Sequence, residues 1–290
     1  MMDTVCISIV SHNRAEELER TLAVIQQFDP PVDEIRIHLD RCTDRSLELV
    51  RSTARDAIVL ETDVGGSIPN RDQIIRESGC DLILSLDDDS YPLEKDAIGR
   101  IKTIMNANPR IGVLTFPQIS DEFPQQASLL KGNKSVASFA NSGAVVRRAA
   151  YLEVSGYPVD FFHIFEEPDL ALQLMDQGWM VIESSILTIR HHYSQVERNE
   201  WRVHANQARN ECISLWLRCP KEYLPQQAIR LFLGQARYAF RRGWFWREPL
   251  WWSELFVLFW RVRGNRKAVR QDTFILWRKL LHTPKDTELL

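Results

Sequence analysis

The 290-residue chain has no long apolar run. Its best stretch, Leu255 to Trp260, ends at Arg261, whereas a membrane-spanning helix needs roughly 18 apolar residues. Cysteine is scarce. Cys6, Cys42, Cys80, Cys212 and Cys219 include no pair spaced like a zinc knuckle or a redox CxxC, so they read as buried, reduced thiols. The turn after the first apolar segment, Ser11-His12-Asn13-Arg14, contains no glycine. That excludes a GxGxxG dinucleotide oxidoreductase and the Gly- and Arg/Lys-rich loop of a nucleotidyltransferase. The opening MMDTVCISIV lacks the basic segment and long apolar core of a signal peptide, so a cytoplasmic location is expected. A net charge of -3 gives no case for nucleic-acid binding.

The composition is globular, at 44% hydrophobic and 26% charged. Charge is unevenly spread. Arg218 to Leu281 carries a balance of +10 and six of the nine tryptophans, and the rest carries -13. Trp244, Trp246, Trp251, Trp252 and Trp260 sit among Arg241, Arg242, Arg247, Arg261 and Arg263. This mixture suits the headgroup zone of an anionic bilayer. The alternative is that the aromatics pack onto the body or an oligomer contact.

Val5 to Val10 is β-branched and apolar, which predicts a buried strand. Asn13 and Glu16 form a capping-box pattern ahead of a helix with Leu18, Leu22 and Ile25 on one face. Strands are predicted at Ile35 to Leu39, Ile58 to Leu60, Leu82 to Leu86, Ile111 to Phe116 and Asn141 to Val146. One helix is capped by Thr43/Asp44, and another opens at Pro69 and closes at Gly79. Residues 117–138 read as polar loop, and Pro168 to Gln177 as a helix with Glu167 as its N-cap. From about Gln195 the chain reads helical to its end, broken at Pro220, Pro225, Gly243, Pro249 and Gly264. Alternating strands and helices predict an α/β fold with a mostly parallel sheet, whose ligands sit at the carboxyl strand ends.

Asp87-Asp88-Asp89 follows one such strand directly. Alternation puts Asp87 and Asp89 on one face, a hard-oxygen pair suited to Mg²⁺ or Mn²⁺. A solvated acidic turn is the plainer alternative. Glu166-Glu167-Pro168-Asp169 follows an aromatic run. Helix capping explains Asp169 well and Glu167 in part, whereas two adjacent glutamates beside phenylalanines suit a proton acceptor. His191 and His192 end an apolar stretch, and His191 is the better candidate for a metal or phosphate contact.

In order along the chain, VCISIVSHNR, IRIHLDRCTD, VGGSIPNRD, LSLDDDSYP, SGAVVRRAAYLEVSGYP, FEEPDLALQLMDQGW and IRHHYS resemble segments of the inverting family 2 glycosyltransferases with the GT-A fold. The resemblance runs from about Val5 to Ser194. The Arg209-Asn210 pair and the basic tail still look like bacterial polysaccharide-assembly members. It implies a Rossmann-like GT-A domain over residues 1–195 and a helical, Trp-rich region over 196–290. Ser11, His12, Asn13 and Asp40 would border the nucleotide, and Arg71 would approach it or its phosphates. Asp87 and Asp88 would lie near the ribose and diphosphate, and Asp89 would hold Mn²⁺ or Mg²⁺ with Asp87 and His191. Glu167 would be the catalytic base, with Glu166 as the open alternative. Three departures stand out: Leu39 stands where the family usually has its base-contacting aspartate, with Asp40 on the second acidic position, Asp72 replaces an asparagine, and Glu167 stands where aspartate is commoner.

The implied activity is hexosyl or deoxyhexosyl transfer from a nucleotide-diphosphate sugar to a glycan or lipid-linked hydroxyl. The implied place is the cytoplasmic face of a membrane, peripherally bound. The competing reading is an inert glycan- or lipid-binding module on the same fold.

Overall fold

A computed structural model describes residues 3–63, 65–121, 131–161, 163–192 and 199–289. Met1, Met2, Val64, Tyr193 and Ser194, quoted in the segments above, and part of the 117–138 loop lie outside them.

The first half alternates as the pattern dictates: β1 (Val5–Ser11), α1 (Ala15–Ile25), β2 (Glu34–Asp40), α2 (Ser46–Thr53), β3 (Ile58–Thr62), α3 (Ser67–Glu77) and β4 (Leu82–Asp87). Then come β5 (Ser90–Pro92), α4 (Ala97–Ala107), β6 (Ile111–Thr115), β7 (Gln118–Ile119), β8 (Asn133–Ser135), β9 (Ala144–Arg147) and α5 (Arg148–Leu152). The remainder is α6 (Glu166–Asp176), β10 (Met180–Ser184), β11 (Ile189–His191), α7 (Glu200–Arg218), α8 (Leu224–Arg241), α9 (Glu248–Val262), α10 (Gln271–His282) and β12 (Lys285–Asp286).

Nine strands form one sheet, ordered β12-β8-β10-β6-β9-β4-β1-β2-β3. The β4-β1-β2-β3 half is parallel, and β9 runs antiparallel between β4 and β6. β1 and β4 are nearly all apolar and buried because helices cover both faces. From β1 the chain steps outward through β2 and β3, then returns to β4 on the other side of β1. That reversal opens a crevice at the carboxyl ends of β1 and β4, where open α/β sheets place their ligands. A small second sheet, β5-β11-β7, sets His191 opposite Ser90 and so beside the acidic triplet. β11 gets there only because residue 143 is glycine. A Cβ on Gly143 would stand 2.4 Å from Ile189 Cγ1.

Several local expectations are corrected. Asn13 does not cap α1. Its Oδ1 accepts from the backbone N–H of Thr43, and Asp44 accepts from the N–H of Ala15 and of Ser46, bracing both helix starts at once. α3 opens at Ser67, ahead of Pro69. The strand expected from Asn141 begins as a 3-10 turn, Asn141–Gly143, and pairs only from Ala144. The 117–138 stretch contributes β7 and β8. Pro225 and Pro249 begin helices instead of breaking them, since a missing N–H costs nothing in a first turn. The chain is not helical to its end, because β12 returns to pair with β8.

Candidate active site

The acidic triplet lies in the switch-point crevice. Val10 is in register with Asp87, so the next residues, Ser11 and Asp88, meet: Ser11 Oγ donates to Asp88 Oδ2 at 2.8 Å. Asp88 thus turns toward β1, leaving Asp87 and Asp89 to face His191. His191 Nε2 is 3.3 Å from Asp89 Oδ1 and 3.7 Å from Asp87 Oδ2. One ligand atom from each of the three residues lies within 4.8 Å of the others. The other ring nitrogen, Nδ1, meets Gln118 Oε1 at 3.1 Å. That contact fixes the ring plane and keeps Nε2 turned toward the carboxylates.

Two arginines balance the triplet. Arg14 reaches Asp88 Oδ1 at 3.0 Å and Asp89 Oδ2 at 2.6 Å, and buried Arg71 ion-pairs Asp87. Burial pushes the Asp88 carboxyl up to about 7 despite Arg14. Burial also opposes ionisation of Asp89, but His191 and Arg14 outweigh it and hold that carboxyl below its usual range. Asp89 Oδ1 is buried and takes no hydrogen bond of good geometry. An orphaned carboxylate oxygen, a second carboxylate and an oriented imidazole fit a divalent cation.

Asp40 is placed differently. Its two oxygens accept from the N–H groups of Gly65 (3.1 Å) and Gly66 (2.7 Å), holding the turn that starts the Arg71 helix. His12 Nδ1 bonds the Asp40 carbonyl at 2.6 Å. Asp72 accepts from Tyr151 OH at 2.5 Å and ion-pairs Arg76, which is a structural use. The His192 ring meets Tyr91 OH at 2.9 Å, and its backbone N–H donates to the Asp89 carbonyl at 2.9 Å.

The glutamates approach the same crevice from the far side. Glu167 is not the N-cap. α6 begins at Glu166 after two successive left-handed residues, Ile164 (φ 73°) and Phe165 (φ 76°). Each costs about 1–3 kcal/mol and persists only where its surroundings hold it. Asn141 Nδ2 donates to Glu166 Oε1 (3.3 Å), and Asn141 N is 3.5 Å from Glu167 Oε1. Tyr157 OH fixes Asn141 through Oδ1 at 2.5 Å. Glu166 is buried in the wall, whereas Glu167 is partly exposed. Desolvation, then the neighbouring Glu166, push Glu167 well above the ordinary glutamate range, with Arg71 pulling the other way. Asp169 does no capping with its side chain. Arg218 (3.0 Å) and Ser214 (2.7 Å), both on α7, engage its carboxylate completely inside the protein.

Arg71 pairs with Asp87, and its charge also lowers the Glu167 carboxyl. Gln118 joins them again, since it contacts His191 through Oε1 and donates to Ser142 Oγ at 2.8 Å, one residue from Asn141. Sequence reasoning missed Arg14, Gln118, Asn141 and Tyr157. No spacing pattern marks them, because each reaches the site through tertiary contact.

This strand order, with an acidic strand end at the switch point, defines a GT-A nucleotide-sugar fold. The chain belongs to glycosyl transferase family 2, whose family model matches residues 6–150. It is therefore a glycosyltransferase. No curated protein matches the sequence significantly. Among solved structures it is similar to the mannosyltransferase PcManGT from Pyrobaculum calidifontis in complex with GDP-Man and Mn²⁺. The TM-score is 0.62 at 15% identity, covering 96% of this chain and 79% of that one. It is also similar to S. aureus TarS 1-349 in complex with UDP-GlcNAc (TM-score 0.59, 14% identity, 80% and 72% covered). GalNAc-T7 with UDP, GalNAc and Mn²⁺ gives 0.62 at 13% identity over 76% of this chain, which spans about half, 49%, of that one.

Proposed function

We propose that the protein is a metal-dependent, inverting glycosyltransferase. It moves a hexosyl or deoxyhexosyl group from a nucleotide-diphosphate sugar to a hydroxyl of a glycan or lipid-linked acceptor. The observation that carries this reading is the grouping of Asp87, Asp89 and His191 within 4.8 Å of one another, with Arg71 paired to Asp87 and Glu167 Oε1 set 3.5 Å from the Asn141 N–H. Structures of the same fold hold UDP-GlcNAc, GDP-Man with Mn²⁺, and UDP with GalNAc and Mn²⁺, which supports a sugar nucleotide as donor.

Asp87, Asp89 and His191 would hold the cation. Two oxygens and one imidazole nitrogen favour Mn²⁺ over Mg²⁺. When bound, such an ion supplies Lewis-acid neutralisation of charge on the leaving diphosphate. Ser11, His12, Asn13 and the Asp40-braced glycine turn form the nucleotide side, with Asp88 and Arg71 toward the ribose and phosphates. Glu167 takes the proton from the acceptor hydroxyl as its oxygen attacks the anomeric carbon opposite the diphosphate. One displacement inverts the configuration.

A melting screen tests the donor class. With Mn²⁺ present, one member of a panel of UDP-, GDP- and dTDP-sugars at about 100-fold over its Kd should add about 2.7 kcal/mol. That raises Tm by about 4 °C for a chain of this size. No shift with any sugar nucleotide would sink the reading. Binding without release of nucleoside diphosphate to any acceptor would favour the inert module.

The region over 196–290 is proposed to rest on an anionic membrane surface at the cytoplasmic face. Among the described residues no helix is long and apolar enough to cross a membrane. Trp251 is packed inside at 4% exposure, but Trp246 is 76% exposed, and Phe240, Phe256 and Trp260 are also exposed. A crevice of about 590 Å³ among α7, α8 and α9 is lined by Trp216, Phe232, Phe245, Trp252, Phe256 and Phe259. Arg247 lies over the Trp246 ring (5.7 Å) and Arg263 over Trp260 (4.0 Å), pairing cation and aromatic as a headgroup layer favours. The protein should float with phosphatidylglycerol vesicles at low salt, and Trp246→Glu with Phe256→Glu should abolish this. Sedimentation of the wild type away from such vesicles would refute the surface.

A further inference from the structure

The turn that aims the two glutamates is built from the wrong residues for its shape. Ile164 and Phe165 both hold positive φ, and neither is glycine or asparagine. A β-branched residue there is a genuine outlier, so contacts from elsewhere must hold it. They come from α7, 46 and 47 residues further along the chain. Asn210 is fully buried, and its Nδ2 donates to two successive carbonyls, His163 O at 2.9 Å and Ile164 O at 2.8 Å. Its Oδ1 accepts from Arg209 Nε at 3.1 Å, and Arg209 is tied to Glu254 on α9 at 2.9 Å. The amide is therefore fixed at both ends.

Asn210 is also the first member of a stripe. Asn210, Ser214 and Arg218 recur every four residues and so share one face of α7. All three are buried and all three grip the start of α6, the first through the turn and the others through Asp169. An apolar stripe would bury the same helix more cheaply, because a polar side chain without a partner is penalised when desolvated. What the polar stripe adds is direction.

We infer that Asn210 is a positioning residue for transfer, aiming the Glu166–Glu167 carboxylates by holding the Ile164–Phe165 turn in its left-handed form. The inference rests on Glu167 acting as the base. It makes the helical region over 196–290 part of the catalytic device, not an appendage to it.

The test uses the full chain. Asn210→Asp keeps the size of the side chain but cannot donate to either carbonyl. Hydrogen exchange at residues 163–169 should quicken at least tenfold, while residues 82–92 and the affinity for Mn²⁺ alone stay unchanged. With the sugar nucleotide chosen by the melting screen, kcat should fall about 10²-fold, the scale of an ångström-sized misplacement, with donor KM within about twofold. Glycine adopts positive φ without strain. Phe165→Gly in the Asn210→Asp background should therefore recover at least fivefold of the lost kcat. If Asn210→Asp does not fold, Asn210→Ser, which keeps one donor, is scored by the same readouts. Unchanged exchange at 163–169, turnover within threefold of wild type, or no rescue by glycine would overturn the inference. A Glu167→Gln enzyme of near-normal activity would instead remove the base reading. The exchange and rescue results would still decide Asn210.

Discussion

Asp89→Asn should lower turnover by about 10²–10⁴-fold, and excess EDTA should do the same to the wild-type enzyme. The reason lies in what each carboxylate of the triplet faces. Asp88 points to Ser11 and Arg14, and Asp87 is shared with Arg71. Asp89 is buried, gives one oxygen to Arg14 and turns the other toward His191. Replacing that oxygen by an amide removes half of the carboxylate charge in the Asp87, Asp89, His191 group while preserving its volume. Affinity for Mn²⁺, followed by the loss of its free spin signal, should fall with the rate. Asp88→Asn is the control, because it leaves all three ligand residues in place and should change Mn²⁺ affinity far less. Wild-type rates in EDTA, or an Asp89→Asn enzyme that still binds Mn²⁺ and turns over normally, would end the metal reading.

The pattern of strands and helices around β1 to β4 was legible because each element carries its own signal. β1 and β4 are continuous apolar runs, and α1 has one apolar face. The acidic triplet was legible for the same local reason, since it interrupts a buried strand. The helix starts were misread where two candidates compete for one N–H. Asn13 looks like a cap, but Asp44 reaches Ala15 across the sheet end and frees Asn13 for Thr43. Glu167 looks like a cap because Pro168 follows it. The helix nevertheless starts earlier, since Phe165 takes a left-handed conformation that its own chemistry disfavours. Tertiary contact overrides local preference there, and no window of sequence contains Asn210 and Phe165 together. The Asn210, Ser214, Arg218 spacing was the available clue: three polar residues on one face of a helix otherwise read as a basic tail.

The second large effect is expected at Glu167. Glu167→Gln should reduce kcat about 10²–10⁴-fold, because an amide cannot take the acceptor proton. It should also make the donor-free protein more stable, and the pH dependence of that gain identifies the group. The folded-state pKa of Glu167 is raised by desolvation and then by Glu166, so the folded chain holds its proton more tightly than the unfolded chain does. The stability this contributes is fully present below the unfolded value, about 4.3, and is lost as pH rises through the folded value. Above that point a charged carboxylate sits in the crevice wall beside Glu166, and glutamine removes the penalty. The melting temperatures of the two proteins should therefore agree near pH 4 and separate in favour of Glu167→Gln as pH rises. Activity should mirror this, since a base works only when deprotonated. The acid limb of wild-type kcat/KM should lie above the ordinary glutamate range and be missing from the residual Glu167→Gln rate. If Glu167→Gln is inactive but melts below wild type at every pH, the side chain is holding structure. If it is active and Glu166→Gln is not, the proton goes to Glu166.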